Sequence, residues 1–294
     1  MSHADDQSLT APGGEAAEKI HYREYKLLLK PERFADDDGF HKFYKHAHHV
    51  AKQLDVHFAK ADKHERHVRE VVFYDTPRFK LYNDGFILRK RTFFKHGRPE
   101  PNFEMTIRFR HPDPTVAAAV DMRPLLPCIH TIKFKEEILQ LSDTLGGMRT
   151  LYANGCELDT PNVVLTQRFE IISQVFPALQ RVRTANPKAT LTLVNDVVVD
   201  ESLVHLGELH FGDKTWCKAS VAVWRNRATG RDMIGEFGYQ LKFEGLPSLH
   251  RKPRELSEKF FKAIQLDAGD WVALGTTKTA LVYGAGRQAV KHHE

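Results

Sequence analysis

The feature that most restricts the fold is a short segment carrying arginines at alternate positions. Residues 71–77 (Val-Val-Phe-Tyr-Asp-Thr-Pro) read as a strand closed by a proline turn, and residues 78–85 as a link ending in Asp84-Gly85. Residues 86–91 (Phe-Ile-Leu-Arg-Lys-Arg) read as a second strand. Side chains two apart share a face of a strand, so Ile87, Arg89 and Arg91 point one way and Phe86, Leu88 and Lys90 the other. Two guanidinium groups therefore stand side by side.

The same alternation recurs. Phe103, Met105, Ile107 and Phe109 oppose Glu104, Thr106, Arg108 and Arg110; Ile132, Phe134 and Ile138 oppose Lys133, Lys135 and Glu137. Phe237, Tyr239, Leu241 and Phe243 oppose Glu236, Gln240, Lys242 and Glu244. Sheets with one face in water also alternate, but their polar faces are usually rich in Thr, Ser and mixed charge. Several strands that repeat arginine, lysine and a single glutamate point to one shared anion site, with ordinary solvated faces as the alternative.

Around these strands, residues 1–19 read as a flexible leader and Tyr22 to Lys30 as a first strand, with Glu24 and Lys26 on one face. Phe34 to about Lys63 has helical spacing, broken near Leu54. Its histidines lack the accompanying ligand pattern of a metal site and are assigned no chemistry. Ser142 to Asn154 reads as a short helix, Val163 to Val182 as strand then helix, and Leu191 to Asp200 as a strand. Glu208–Gly212 and Thr215–Asn226 form a hairpin around Asp213-Lys214, and Lys252 to Leu266 a helix with Pro253 in its first turn. The structured domain spans residues 20–284, followed by a tail over residues 285–294.

The 294 residues suffice for one large or two modest domains, and no internal repeat is visible. The net charge of +5 suits an acidic partner such as polyphosphate, a nucleotide or nucleic acid. Nucleic acid is the weaker option, because the aromatic residues fall on apolar faces and not among the basic ones. Three scattered cysteines without ligand spacing argue against disulfides and zinc sites and fit a reducing cytoplasm. No run has the length of a membrane span.

Glu24-Tyr25-Lys26, the Tyr74-Asp75-Thr76-Pro77 turn, the Leu88-Arg89-Lys90-Arg91 strand end and the Lys133-to-Glu137 strand together resemble the CYTH domain of the triphosphate tunnel metalloenzymes. The Tyr-Asp-Thr-Pro to Arg-Lys-Arg block is the most specific part, and the similarity extends more loosely from Ile20 to about Tyr283. The resemblance implies an α+β chain with a closed or nearly closed antiparallel barrel of about eight strands and flanking helices. It implies that triphosphate or polyphosphate is bound inside the barrel by Lys26, Arg89, Arg91, Arg108, Lys133, Lys135 and Lys218. Mg²⁺ or Mn²⁺ would be held by Glu24, Glu137 and Glu236, with Glu24 and Lys26 as the catalytic pair. Glu208 and the Thr277-Lys278-Thr279 segment are reserve candidates. The implied activity is metal-dependent triphosphate hydrolysis. A cyclase or phosphotransferase, and a non-catalytic polyphosphate or nucleotide binder, are the alternatives. This chain departs from the family's Glu-x-Glu-x-Lys opening: Tyr22 stands at the first glutamate. Gly238 and Gln240 follow Glu236, where the family pattern pairs carboxylates. Both departures point to weaker metal binding, a shifted metal site or loss of catalysis.

Overall fold

A computed structural model describes residues 14–62, 65–182, 186–212 and 215–284. Ten strands are present: β1 (Tyr22–Leu29), β2 (His57–Lys60), β3 (Arg66–Asp75), β4 (Phe86–Lys95), β5 (Arg98–His111), β6 (His130–Leu139), β7 (Arg149–Asp159), β8 (Thr192–His210), β9 (Trp216–Asn226) and β10 (Asp232–Lys242). The helices are α1 (Gly14–Glu18), α2 (Asp38–Gln53), α3 (Lys80–Asn83), α4 (Pro114–Ala118), α5 (Phe169–Val175), α6 (Arg251–Asp267) and α7 (Lys278–Val282). In pairing order the sheet runs β8-β3-β4-β5-β7-β6-β1-β10-β9, and the further β8–β9 pairing closes it into a nine-stranded barrel. Strand β2 pairs with the far end of β8 outside this ring.

The barrel is mixed, because β1 runs parallel to β6, with Glu24 opposite Glu137. Every other pairing is antiparallel. Closure leaves no exposed edge in the ring and sends alternate residues of every strand into the lumen. In this barrel the apolar faces point outward and are covered by helices. Tyr25, Leu27, Phe237, Tyr239 and Val221 pack under Phe43, Ala47 and Val50 of α2 and Phe260, Phe261 and Ile264 of α6. On another flank Leu88, Ile107, Phe109 and Leu158 pack under Phe169 and Ile172 of α5 and the following Phe176 and Leu179. Arg23, on the outer face of β1, is fully enclosed and ties that wall to α6, with ion pairs to Glu136 (3.0 Å) and Glu258 (2.6 Å).

Several sequence expectations are corrected. Helix α2 stops at Gln53; Asp55 takes a positive φ of 56°, and His57–Lys60 turns back as β2, so Phe58 belongs to a strand. The segment expected as a short helix over residues 142–154 instead leads into β7, whose middle is buried on both faces and therefore shows no two-residue polarity period. Residues 192–210 form one long strand in place of two shorter ones. Within the expected leader, residues 14–18 are helical; residues 1–13 and 285–294, and the hairpin residues Asp213 and Lys214, lie outside the described residues.

The Tyr-Asp-Thr-Pro turn is organised by Asp75, which is 1% exposed. Its carboxylate accepts the backbone N–H groups of Thr76 (2.6 Å), Leu81 (3.0 Å) and Tyr82 (2.9 Å), capping α3 and setting the entry into β4. Burial raises its pKa from 3.8 to about 6, although the backbone donors pull the other way. A carboxyl whose folded pKa lies above its unfolded value adds stability that is full below the unfolded pKa and is lost as pH rises through the folded one. Relative to Asp75→Asn, the parent is therefore expected to lose unfolding free energy between pH about 4 and about 6. Urea unfolding of both proteins across that window checks this, and an identical pH dependence would refute it.

Candidate functional site

Inside the ring lies a cavity of about 310 Å³. Ten cationic side chains line it: Lys26, Arg69, Arg89, Arg91, Arg108, Arg110, Lys135, Arg149, Lys218 and Lys278. Among the described residues, only Glu24, Glu157, Glu201 and Glu236 oppose them on the lining itself. The strands place these groups by alternation and register. Arg89 and Arg91 of β4 lie opposite Thr106 and Glu104 of β5, and Arg108 lies opposite Ile87. Lys135 and Glu137 of β6 lie beside Tyr22 and Glu24 of β1.

The glutamates are held in two separate groups. Glu137, with no exposure, is surrounded by Lys26 Nζ (2.5 Å), Arg108 Nη1 (3.1 Å) and Arg110 Nε (2.9 Å). Burial alone would raise its pKa, but Arg110, Lys26 and Arg108 outweigh that and hold it well below the usual carboxylate range. Lys26 Nζ also reaches Glu24 (3.1 Å), and Lys135 Nζ reaches the same Glu24 oxygen (3.4 Å). Burial likewise opposes ionisation of Glu24, and Lys135 and Lys26 prevail. At the second group, Lys278 Nζ bridges Glu201 (3.1 Å) and Glu236 (3.2 Å), while Glu201 also pairs with Arg69 and accepts Trp224 Nε1–H (2.6 Å).

Between these groups stands an arginine cluster with too little negative charge. Glu104 is its nearest carboxylate, 2.9 Å from Arg91 and 3.8 Å from Arg89. Burial raises the Glu104 pKa, and the two arginines overcome this to bring it down to about 2. Arg89 has the opposite problem: burial first, then Arg91 and Arg108, drive its pKa well below the ordinary guanidinium value. Among the described residues, the buried Nε atoms of Arg89 and Arg91 have no hydrogen-bond partner. Buried donors of this kind cost free energy unless something accepts from them.

Six of the seven cations expected to bind phosphate line this cavity: Lys26, Arg89, Arg91, Arg108, Lys135 and Lys218. Lys133 stands apart, paired with Glu157, which does line it. Glu208 is exposed and opposite Lys218, away from the lining. Thr277, Lys278 and Thr279 do reach the lumen. Sequence reasoning did not single out Arg69, Arg149, Glu157 or Glu201 as site residues. The expected metal set is not brought together: Lys26 links Glu24 to Glu137, whereas Glu236 belongs with Lys278. Among the described residues no group of three or more His, Cys, Asp or Glu side chains is placed to hold an ion. These carboxylates do not form a cage made by protein alone. They fit the looser mode common for Mg²⁺, in which one or two carboxylates contact an ion otherwise coordinated by water and phosphate oxygens. Glu24 is the lumen carboxylate of the first group that retains exposure, 22% of its side chain.

No family model matches the chain, and no curated protein sequence matches it. Solved structures similar to it include a Hippeastrum adenylyl cyclase candidate described as having a dominant triphosphatase activity, at 11% identity and TM-score 0.43, covering 94% of this chain and 100% of that one. An adenylate cyclase candidate from Bacillus halodurans follows, at 12% identity and TM-score 0.36, covering 89% and 96%. The S. pombe Pct1 RNA triphosphatase shares 8% identity at TM-score 0.26, covering 85% and 74%. No helix among the described residues is long and apolar enough to cross a membrane.

Proposed function

We propose that the barrel binds a triphosphate-containing compound and hydrolyses it with a divalent cation. The observation that carries this reading is the cluster of Arg89 and Arg91 with Arg108 beside them: Arg91 and Arg108 add to the burial that depresses Arg89, and the buried Nε atoms of Arg89 and Arg91 have no acceptor among the described residues. A triphosphate carries roughly four negative charges near neutrality and offers oxygens along its whole length. Guanidinium forks on rigid strands grip such oxygens in pairs, and lysines add point charges. The lining's excess of cations over carboxylates, reduced by Glu104 and Glu137 behind it, matches an anion of that size.

In this reading the phosphate chain lies against Arg89, Arg91 and Arg108, with Lys26 and Lys135 at its side. Glu24 would hold a divalent cation, Mg²⁺ or Mn²⁺, whose chemistry would be to neutralise charge on the phosphoryl group. The chain's own residues supply alignment and fixed positive charge, and no side chain needs to form a covalent intermediate. In this role Glu24 would orient water, and Lys26, 3.1 Å away, would hold Glu24 in place.

Non-catalytic binding is a second reading with an observation in its favour: Tyr22 lies beside Lys135 where a glutamate would complete a carboxylate pair with Glu24, and the Lys135 ammonium sits 5.7 Å from its ring centre. A panel of inorganic triphosphate, ATP and other triphosphates with Mg²⁺ or Mn²⁺, scored for both phosphate release and thermal shift, separates the two. Chelator-sensitive phosphate release supports the hydrolase. A thermal shift without turnover leaves the binder, and neither signal refutes triphosphate recognition. Cyclic nucleotide and pyrophosphate formed from ATP would instead identify a cyclase.

Arg89→Ala is expected to weaken metal-free binding of inorganic triphosphate by roughly 2 kcal/mol, about 30-fold, through loss of a charge-assisted pair in a water-poor site. Stability without ligand should stay level or rise, since one of several crowded cations is gone. Titration calorimetry with equal affinities for variant and parent would remove Arg89 from the site.

A further inference from the structure

One end of the lumen is filled by an apolar cluster of Phe73, Ile87, Trp224 and Ile234 with Val282 and Tyr283. Towards the other end the inward-facing residues become exposed, and two histidines meet there. On β3, His67 stands two residues outside Arg69 and opposite Leu203 of β8, both of which line the cavity. On β8, His205 stands two residues beyond Leu203 and opposite Ser220 of β9, another lining residue. Alternation therefore turns both imidazoles to the lumen side, while Val204, Leu206 and Val221 face the core beneath the helices. The two ring centres are 5.5 Å apart with the planes at 65°. His67 is exposed and His205 half-buried.

The charged groups around the pair are mostly cationic. Strand β3 brings Arg69 and Glu65, and β9 brings Lys218, which has Glu208 of β8 opposite it. Strand β4 sets Phe93 opposite Arg69 and carries Lys95 two residues further out. Lys60 of β2 shares the side of Phe58, which packs in the core, and so points away from the pair. Burial, His67, Lys218 and Arg69 lower the His205 pKa from its ordinary value, with Glu65 opposing them. Without an anion the imidazoles are therefore favoured as neutral rings, because each added proton stands against the partner ring, Lys218 and Arg69. A polyphosphate reverses that field by bringing several negative charges to the same face.

We infer that His67 and His205 are further anion-binding residues of the barrel and that they bind as imidazolium, so that the ligand enters together with protons. This rests on the triphosphate reading and adds a proton-linked step at the exposed end of the same site. The linkage is reciprocal: an anion that favours the protonated pair is itself held more tightly when the pair is protonated. A histidine whose pKa is higher in the complex than in the ligand-free protein strengthens binding fully below the ligand-free value, and the gain is lost as pH rises through the bound one.

Inorganic triphosphate takes up protons of its own in this range, so the parent and His67→Asn/His205→Asn are compared at each pH, without metal, by titration calorimetry. The parent is expected to bind about fivefold or more tightly than the double variant at about pH 6, and with nearly equal affinity at about pH 8.5. Near neutral pH, calorimetry in two buffers of different ionisation enthalpy should show the parent taking up more protons per ligand than the variant. His67→Asn alone, at an exposed position, is expected to show part of the same pH dependence and is read in its place if the double variant does not fold. An affinity ratio that stays constant across the range, whatever its value, overturns the inference and leaves the triphosphate site standing. A parent that binds no inorganic triphosphate at any pH refutes the triphosphate reading and this inference with it.

Discussion

Glu24→Gln is expected to abolish divalent-metal-dependent phosphate release while leaving metal-free binding of inorganic triphosphate close to the parent's. The substitution removes a carboxylate that an incoming ion would contact and keeps the shape of the side chain. It touches none of the arginines that bear the uncompensated charge, and it frees Lys26 and Lys135 from one partner. Loss of a group that positions water and contacts an ion is typically worth a factor of about 10² to 10³ or more in turnover. Tyr22→Glu is the complementary change: a carboxylate next to Lys135 should tighten metal binding and raise turnover above the parent's. Phosphate release and calorimetric binding are read on the same preparations. Full turnover in Glu24→Gln would end the hydrolase reading and leave the binding protein.

Glu137→Ala is expected to lower ligand-free stability by roughly 3–5 kcal/mol, because Lys26, Arg108 and Arg110 are left enclosed with their shared counter-charge gone. For a domain of this size that corresponds to a fall in Tm of roughly 10 °C. Inorganic triphosphate should restore more Tm in the variant than it adds to the parent, since it supplies the missing negative charge to the same cations. The contrast with Arg89→Ala is diagnostic: removing an anion from the lining destabilises the empty barrel, whereas removing a cation does not. An unchanged Tm in ligand-free Glu137→Ala would show that the lumen cations are sufficiently hydrated without it.

Where the two faces of a strand differ chemically, the sequence was sufficient. A two-residue period gave Arg89, Arg91, Arg108, Lys135 and Glu24 their faces, the family resemblance implied a common lining for them, and each lines the cavity, whereas Lys133, read in the same way, does not. Strands β1, β4, β5, β6 and β10 were legible for the same reason, and helix α6 from its apolar residues three to four apart. Strand β7 was not, because Leu151 to Cys156 is buried throughout and a strand covered on both sides shows no alternation. The break near Leu54 was legible, but the strand β2 beyond it was not, because Phe58, spaced as if to continue a helix, serves the same apolar cluster from β2.

Local patterning thus determined which face is charged in the strands that alternate, since that depends only on the geometry of an extended chain. What neighbours what was decided by closure. The parallel β1–β6 pair sets Glu24 beside Glu137, and the β8–β9 pairing completes the ring. Arg69 and Glu201 become lumen partners through the β3–β8 register, across 132 residues of sequence. Lys278 reaches Glu201 and Glu236 only because the terminal segment folds across the barrel end. No short-range period encodes such contacts; they arise from the ring that removes every edge and from the apolar seal that buries its far end.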